Sequence, residues 1–276
     1  MSSTPDTESD LTRKQRREQA RNERRALEAQ HARDARRRRL MQLGGVVAVV
    51  VVVIAVILIS SSGSGNTGGG GLATGKKSNQ TVAAVTSLVG GIPQAGNTLG
   101  NPKAPVTIQY FGDLECSICR EFTLGALPAV INKYVRTGKV KIEYHSLETA
   151  TSEPTTFRIQ QIAAYAAGKQ DRAWYFIELF YHEQGQEHSG YVTESYLQGL
   201  AQQVPGLNLI GWSAARSEPA LAEEVSQDAQ TANLQGFTGT PSFLIGKTGG
   251  TLSKLEPSSL TEASAFESAI DPLLKS

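Results

Sequence analysis

VTIQYFGDLECSICREF, Val106 to Phe122, is the stretch on which the reading of this chain turns. Its first half, VTIQYF, is an apolar, β-branched run suited to a buried strand, and it leads through Gly112-Asp113 into a segment holding the chain's only two cysteines, Cys116 and Cys119. A helix is expected from near Cys116 through CREFTLGALPAVINKYVRTG, kinked at Pro128 and ended by Gly138 in a left-handed cap. Taken alone, C-S-I-C admits three readings: a redox couple, half of a metal site, or two small buried hydrophobes. Residues three apart on a helix have Cβ atoms about 5–6 Å apart, so the pair needs only slight local adjustment to form a disulfide. Free N–H groups and the positive dipole end at a helix N-terminus favour an anion, which makes Cys116 the expected nucleophile and Cys119, one turn in, the buried resolving thiol. Zinc would need two further ligands. Outside the N-terminal arm only His145, His182 and His188 are on offer; the first falls in a core strand and the other two flank a Gly-containing loop. No metal or cofactor is called for.

Downstream, VKIEYHSL, Val140 to Leu147, alternates as a second strand. From about residue 151 to 236 the chain has helical period, broken by Gly and Pro signals, and reads as an inserted helical subdomain. Within it Trp174, Tyr175, Phe176 and Phe180 recur at helical spacing and are expected to form its packing face. Thr240-Pro241 then introduces a third strand, SFLI; GKTGGTLSKLEP reads as a turn with a short fourth strand, and SSLTEASAFESAIDPLL as a closing helix with Ser259 or Thr261 near its N-cap.

Upstream, the composition is divided. A hydrophobic fraction of 39% and 19% charged residues suit a chain with a real core, and two cysteines in 276 residues exclude a disulfide-stapled secreted fold. The net charge of +1 hides an N-terminal arm, residues 1–42, with 12 Lys/Arg against 7 Asp/Glu. LGGVVAVVVVVIAVILI, Leu43 to Ile59, carries no charge and at about 1.5 Å per residue nearly matches a hydrocarbon core of roughly 30 Å. Residues 43–60 are therefore expected to be one transmembrane helix, an uncleaved anchor rather than a signal peptide, because the arm is long and no clear cleavage site follows. ARRRRL abuts the span on its N-terminal side, so the arm is expected in the cytoplasm and the body outside, with the protein single-pass in the cell membrane. Residues 61–80 are Gly/Ser-rich and read as a flexible tether to a body of residues 81–276. The arm lacks interleaved aromatics, and nucleic acid is not an expected partner.

The order strand, helix, strand, helical insert, strand, strand, helix is that of an α/β thioredoxin-like fold with an inserted helical subdomain. LGNPKAPVTIQYFGDLECSIC, Leu99 to Cys119, and GTPSFLIG, Gly239 to Gly246, resemble the membrane-anchored DsbA-like thiol-disulfide oxidoreductases of the thioredoxin superfamily. The resemblance runs from about Ile92 to the C-terminus and is carried by pattern alone across the insert. It implies that Cys116 and Cys119 form a redox-active, catalytic disulfide, that Pro241 is cis, and that Thr240 and Pro241 bind an extended substrate segment. It further implies an extracytoplasmic enzyme that oxidises the thiols of exported proteins and is itself re-oxidised by a quinone-linked membrane partner of the DsbB or vitamin K epoxide reductase type. A reductase or isomerase, or a client-binding module without chemistry, are the competing readings. Two departures stand out. Ser117-Ile118 lacks the His that strongly oxidising relatives place before the second cysteine, so Cys116 is expected to be less acidified, with Glu115 and Glu121 opposing its ionisation and Arg120 favouring it. Tyr110 stands where relatives commonly carry a buried Glu, leaving proton transfer to Cys119 to water or to Asp113.

Overall fold

The structure, a computed structural model, describes residues 72–275. The basic arm, the apolar segment 43–60 and the tether up to residue 71 lie outside the described residues; among those described, no helix is long and apolar enough to cross a membrane. Helix α1 (Gly75–Val89) begins within the stretch assigned to the tether on composition. It is held from both ends of its chemistry: Val85 and Val89 join the core, and the Arg136 guanidinium donates to the carbonyls of Ser87, Leu88 and Gly90 at 2.7–3.1 Å, satisfying the helix C-terminus.

A two-residue hairpin, β1 (Gln94–Ala95) and β2 (Thr98–Leu99), precedes β3 (Val106–Gly112). Then come α2 (Ser117–Leu124), α3 (Leu127–Val130) with a π-helical turn over Ile131–Val135, and β4 (Val140–Ser146). The insert is five helices: α4 (Pro154–Gly168), α5 (Ala173–His182), α6 (Glu194–Gln203), α7 (Leu209–Ala215) and α8 (Pro219–Leu234). The chain closes with β5 (Ser242–Lys247), β6 (Ser253–Leu255) and α9 (Ser264–Lys275). From β3 onward this is the expected order.

The sheet runs β1-β2-β4-β3-β5-β6. β3 pairs parallel with β4 and antiparallel with β5, so it is central and buried on both faces, as its apolar run requires. β4 alternates buried and half-buried residues along its length. Because Phe111 stands opposite Ser242 in the β3/β5 register, the chain leaving β3 toward Cys116 lies beside the chain arriving at β5 through Thr240-Pro241. That register is what brings the two sequence signatures together.

The helix after Cys116 breaks at Gly125, three residues before the proline expected to kink it. A Cβ on Gly125 would sit 2.6 Å from the Glu121 carbonyl and 2.8 Å from Thr261 Cα, so the chain crosses the loop before α9 where only glycine fits. Pro128 instead sits in the first turn of α3, where its missing N–H costs nothing. Gly138 is left-handed, φ +72°, as expected. Ser259 caps a turn ahead of the closing helix, accepting from Thr261 N and Glu262 N, and α9 itself starts at Ser264. Trp174, Phe176 and Phe180 are fully buried in α5, with Tyr175 half-buried beside them, so these aromatics are the packing face of the insert.

Candidate active site

Cys116 is the N-cap of α2 and Cys119 its third residue. The Cys119 N–H donates to Cys116 Sγ at 3.3 Å, and the Cys116 thiol donates to the Thr240 carbonyl at 3.5 Å. The Thr240-Pro241 bond is cis, as the resemblance implied. Cys116 is 5% exposed and Cys119 fully buried, so any access to the pair is through Cys116. Both are free thiols.

The two thiols differ in acidity for separate reasons. The hydrogen bond from Cys119 lowers the Cys116 pKa to about 6 against the opposing pull of burial, with Thr240 and the N–H groups of Cys119 and Ile118 assisting. That lies between an ordinary cysteine, about 8.5, and the most acidified thioredoxin-fold thiols, about 3.5. The groups that acidify it are the neighbouring thiol, Thr240 and the N–H groups of the helix end. Arg120, one residue beyond Cys119, has its Nε donating to the Tyr181 carbonyl at 2.9 Å. Burial pushes Cys119 well above its ordinary value, and the Cys116 charge adds to it. Beside Cys116, burial also raises the Glu115 carboxyl.

Tyr110 is fully buried and hydrogen-bonded to Tyr181 of α5 at 3.0 Å. Tyr181 gives its only phenolic proton to the Asp113 carbonyl at 3.1 Å, so in the tyrosine pair Tyr110 is the donor. Burial, with the Cys119 charge adding to it, holds Tyr110, Tyr144 and Tyr181 well above the usual phenol range. The surroundings of Cys119 on this side are thus neutral and polar.

Asp113 is not free for the proton transfer considered for it. Its carboxylate accepts from the backbone N–H groups of Glu115, Thr149, Ala150 and Thr151 at 2.9–3.1 Å and from Thr151 Oγ1 at 2.6 Å. This ties the loop before the cysteines to the loop after β4. That second loop then reaches the proline strand, as Thr149 Oγ1 meets Thr240 Oγ1 at 2.5 Å. Asp113 therefore locks the two signatures in register.

Sequence reasoning missed the residues that frame the pair from the insert. Gln184 Nε2 donates to the carbonyls of Leu114 and Cys116 at 2.8 and 3.1 Å, and the Glu187 carboxylate accepts from Ser117 N–H at 2.5 Å. These partners are 68 to 70 positions away along the chain, and no local pattern announces them. Ile118, between the cysteines, is 43% exposed. Beside Pro241 opens a cleft of about 390 Å³, with Phe237, Phe243, Leu255 and Leu260 in its lining. Of the histidines, His145 pairs with Asp228 at 2.6 Å and His188 with Ser152.

The thioredoxin family model matches residues 94–263. Among curated proteins the chain is 25% identical over 149 residues to the "Probable disulfide bond formation protein D" of Bacillus cereus, covering 54% of this chain and 68% of that protein. Among solved structures, oxidised BdbD from Bacillus subtilis superposes with a TM-score of 0.56 at 20% identity, covering 67% of this chain and 98% of that one. Pseudomonas aeruginosa DsbA2 gives 0.53 at 24% identity, with 67% and 97% covered. At such identities the structural likeness speaks for the fold. The family match spans both cysteines, the insert and the cis-proline strand, well over half of the sequence: the chain belongs to the thioredoxin family.

Proposed function

We propose that the protein is a membrane-tethered, extracytoplasmic thiol-disulfide oxidoreductase that introduces disulfides into exported proteins through Cys116 and Cys119. The observation that carries this reading is the asymmetry of the two thiols: one acidified, slightly exposed and against Thr240-Pro241, the other fully buried. In the oxidised form a client thiolate attacks Cys116 Sγ; the Cys116–Cys119 bond breaks and Cys119 leaves as a thiolate that takes up a proton. A second client thiolate attacks the client sulfur of the mixed disulfide, and Cys116 leaves as the thiolate. The client loses two electrons and two protons, and the protein ends as the dithiol. A low pKa makes Cys116 the better leaving group, which favours transfer of the disulfide to the client.

Client recognition is assigned to the backbone at Thr240-Pro241, to the exposed Ile118 and to the cleft beside Pro241, which suit an extended, partly unfolded segment. The apolar run Leu43–Ile59 after Arg36–Arg39 supports tethering with the body outside. A quinone-linked membrane protein of the DsbB or vitamin K epoxide reductase type would restore the disulfide. The names of the curated relatives support the oxidising direction. An outward-feeding reductase is favoured by one observation, the Cys116 pKa of about 6, which is nearer the thioredoxin value of about 7 than the strongest oxidant's.

The test is capture of mixed disulfides by Cys119→Ser in whole cells, together with the redox state of the wild-type pair. Exported proteins trapped on Cys116, with the wild-type pair held oxidised, are expected. No trapped partner would remove the exchange reading, and a pair held reduced would replace the oxidase by the reductase.

A further inference from the structure

The segment between α5 and α6 crosses the amino end of α2 as a strap fastened at three points. Gln184 holds the carbonyls of Leu114 and Cys116, Glu187 takes the Ser117 N–H, and the His188 ring meets Ser152 Oγ in the loop after β4. His188 reaches that position with φ +60°.

A helix amino end presents roughly half a positive charge and a few unpaired N–H groups, enough to stabilise one anion strongly. Here it is shared. The N–H groups of Ile118 and Cys119 serve the Cys116 sulfur, while the Ser117 N–H, the first of α2, is taken by the Glu187 carboxylate. The other charged or titratable groups near Cys116 include Cys119, Asp113, whose carboxylate is taken by loop N–H groups, Glu115, whose carboxyl is raised by burial, Arg120, whose Nε donates to Tyr181, Glu121 of α2 and the exposed His188. A thiolate at Cys116 must therefore form next to a carboxylate already seated on the same helix end. Reduced protein carries that thiolate and the disulfide form does not, so anything that disfavours the thiolate weakens the protein as an oxidant.

We propose that Glu187 is a positioning residue that competes with the Cys116 thiolate for the amino end of α2 and so sets a ceiling on the oxidising strength of the pair. The inference rests on the exchange chemistry proposed above, and it places the control in the insert rather than in the dipeptide between the cysteines.

The experiment compares the full chain with Glu187→Gln, which keeps an oxygen for the Ser117 N–H and removes only the charge, and Glu187→Lys, which reverses it. Cys116 is titrated by thiolate absorbance in the ultraviolet, and each protein is equilibrated with glutathione buffers. The midpoint is expected to fall in the order wild type, Gln, Lys, by about half to one pH unit for Gln. The glutathione equilibrium should move toward reduced protein by roughly three- to tenfold for Gln, equivalent to about 15–30 mV. Coincident titrations, or equal shifts in both variants regardless of charge, overturn the proposal, since a strap with a purely structural role would not grade with charge. The titration reads Cys116 without any client, so a failure to trap mixed disulfides with Cys119→Ser would remove the exchange reading while leaving the charge effect separately decided.

Discussion

Cys116 titrates near pH 6 in the folded protein against about 8.5 in an unfolded chain. Its folded pKa is depressed, so its stabilising contribution to the reduced form is lost as pH falls through about 6 and grows as pH rises toward the unfolded value. At pH 7 that contribution is on the order of 1 kcal/mol. Thermal unfolding of both redox forms between pH 5 and 8 should show reduced protein gaining on oxidised protein as pH rises; a gap that narrows or stays fixed would contradict the assignment. Alkylation should follow the same midpoint at Cys116 and leave the fully buried Cys119 untouched. Asp113 supports a different expectation. Its carboxylate receives five strong hydrogen bonds from two loops, and Asp113→Asn turns a donor toward N–H groups that need an acceptor. A loss of about 3 kcal/mol or more in denaturant unfolding is expected, together with slower mixed-disulfide formation, because the Thr149–Thr240 contact depends on that loop. The cysteines were legible because their chemistry is local, two thiols one turn apart; Thr240-Pro241 was legible on its own only as a Pro introducing a strand, and its place beside the cysteines came from the resemblance. Asp113 stood in the quoted stretch, yet its role depended on backbone groups some 36 to 38 residues on, which no spacing rule reaches.

For whole elements, legibility tracked length and periodicity. β3, β4 and β5 carry six or seven residues of β-branched and aromatic character, enough for the pattern to speak. β1 and β2 have two residues each and exist because β2 pairs with β4, a tertiary cause with no sequence period. Helix α1 was hidden for a related reason: its first residues continue a Gly/Ser-rich composition, and its two buried valines acquire meaning only once a core lies beneath them. The break in the helix after Cys116 shows a local rule overridden by a neighbour. Proline chemistry pointed to Pro128, but the approach of the loop before α9 moved the break to Gly125. Gly125→Ala should therefore destabilise the protein by about 1–3 kcal/mol, the range for overpacking. Helix propensity alone would have Ala stabilise the segment, so a higher midpoint in thermal unfolding would show that the close approach to Thr261 is not limiting.

At the scale of the whole molecule the insert and the sheet are bound by polar side chains, and one of them makes global stability depend on pH. Asp228 of α8 accepts from His145, from the Ser146 backbone and hydroxyl, and from Tyr165, so the last insert helix is tied to β4 through a fully partnered buried carboxylate. Glu178 of α5 is the opposite case. It is fully buried, and neither carboxyl oxygen has a hydrogen-bond partner among the described residues. Burial pushes its carboxyl up to about 8, so it is held neutral in the folded protein at pH 7 while the unfolded chain ionises it near its ordinary value of about 4.3. Below that ordinary value both states bind the proton and Glu178 contributes no slope. Between it and about pH 8 the folded state holds a proton that the unfolded state has lost, so stability falls as pH rises, by up to about 1.4 kcal/mol per unit. Burial raises Glu115 and Glu224, which slope the same way, while hydrogen bonds from Lys141 and Arg216 outweigh burial to lower Glu143 and Glu194, which slope the other. The difference between wild type and Glu178→Gln isolates the one residue. It should be measured on the oxidised form, because the reduced form carries the opposing Cys116 slope. Glu178→Gln, similar in shape and unable to ionise, should match wild type near pH 4 and exceed it by a few kcal/mol near pH 8 in denaturant unfolding. Parallel pH profiles for the two proteins would mean that Glu178 finds a partner or water on folding, and that the helix joining the insert to the catalytic face is not where the molecule stores its sensitivity to alkali.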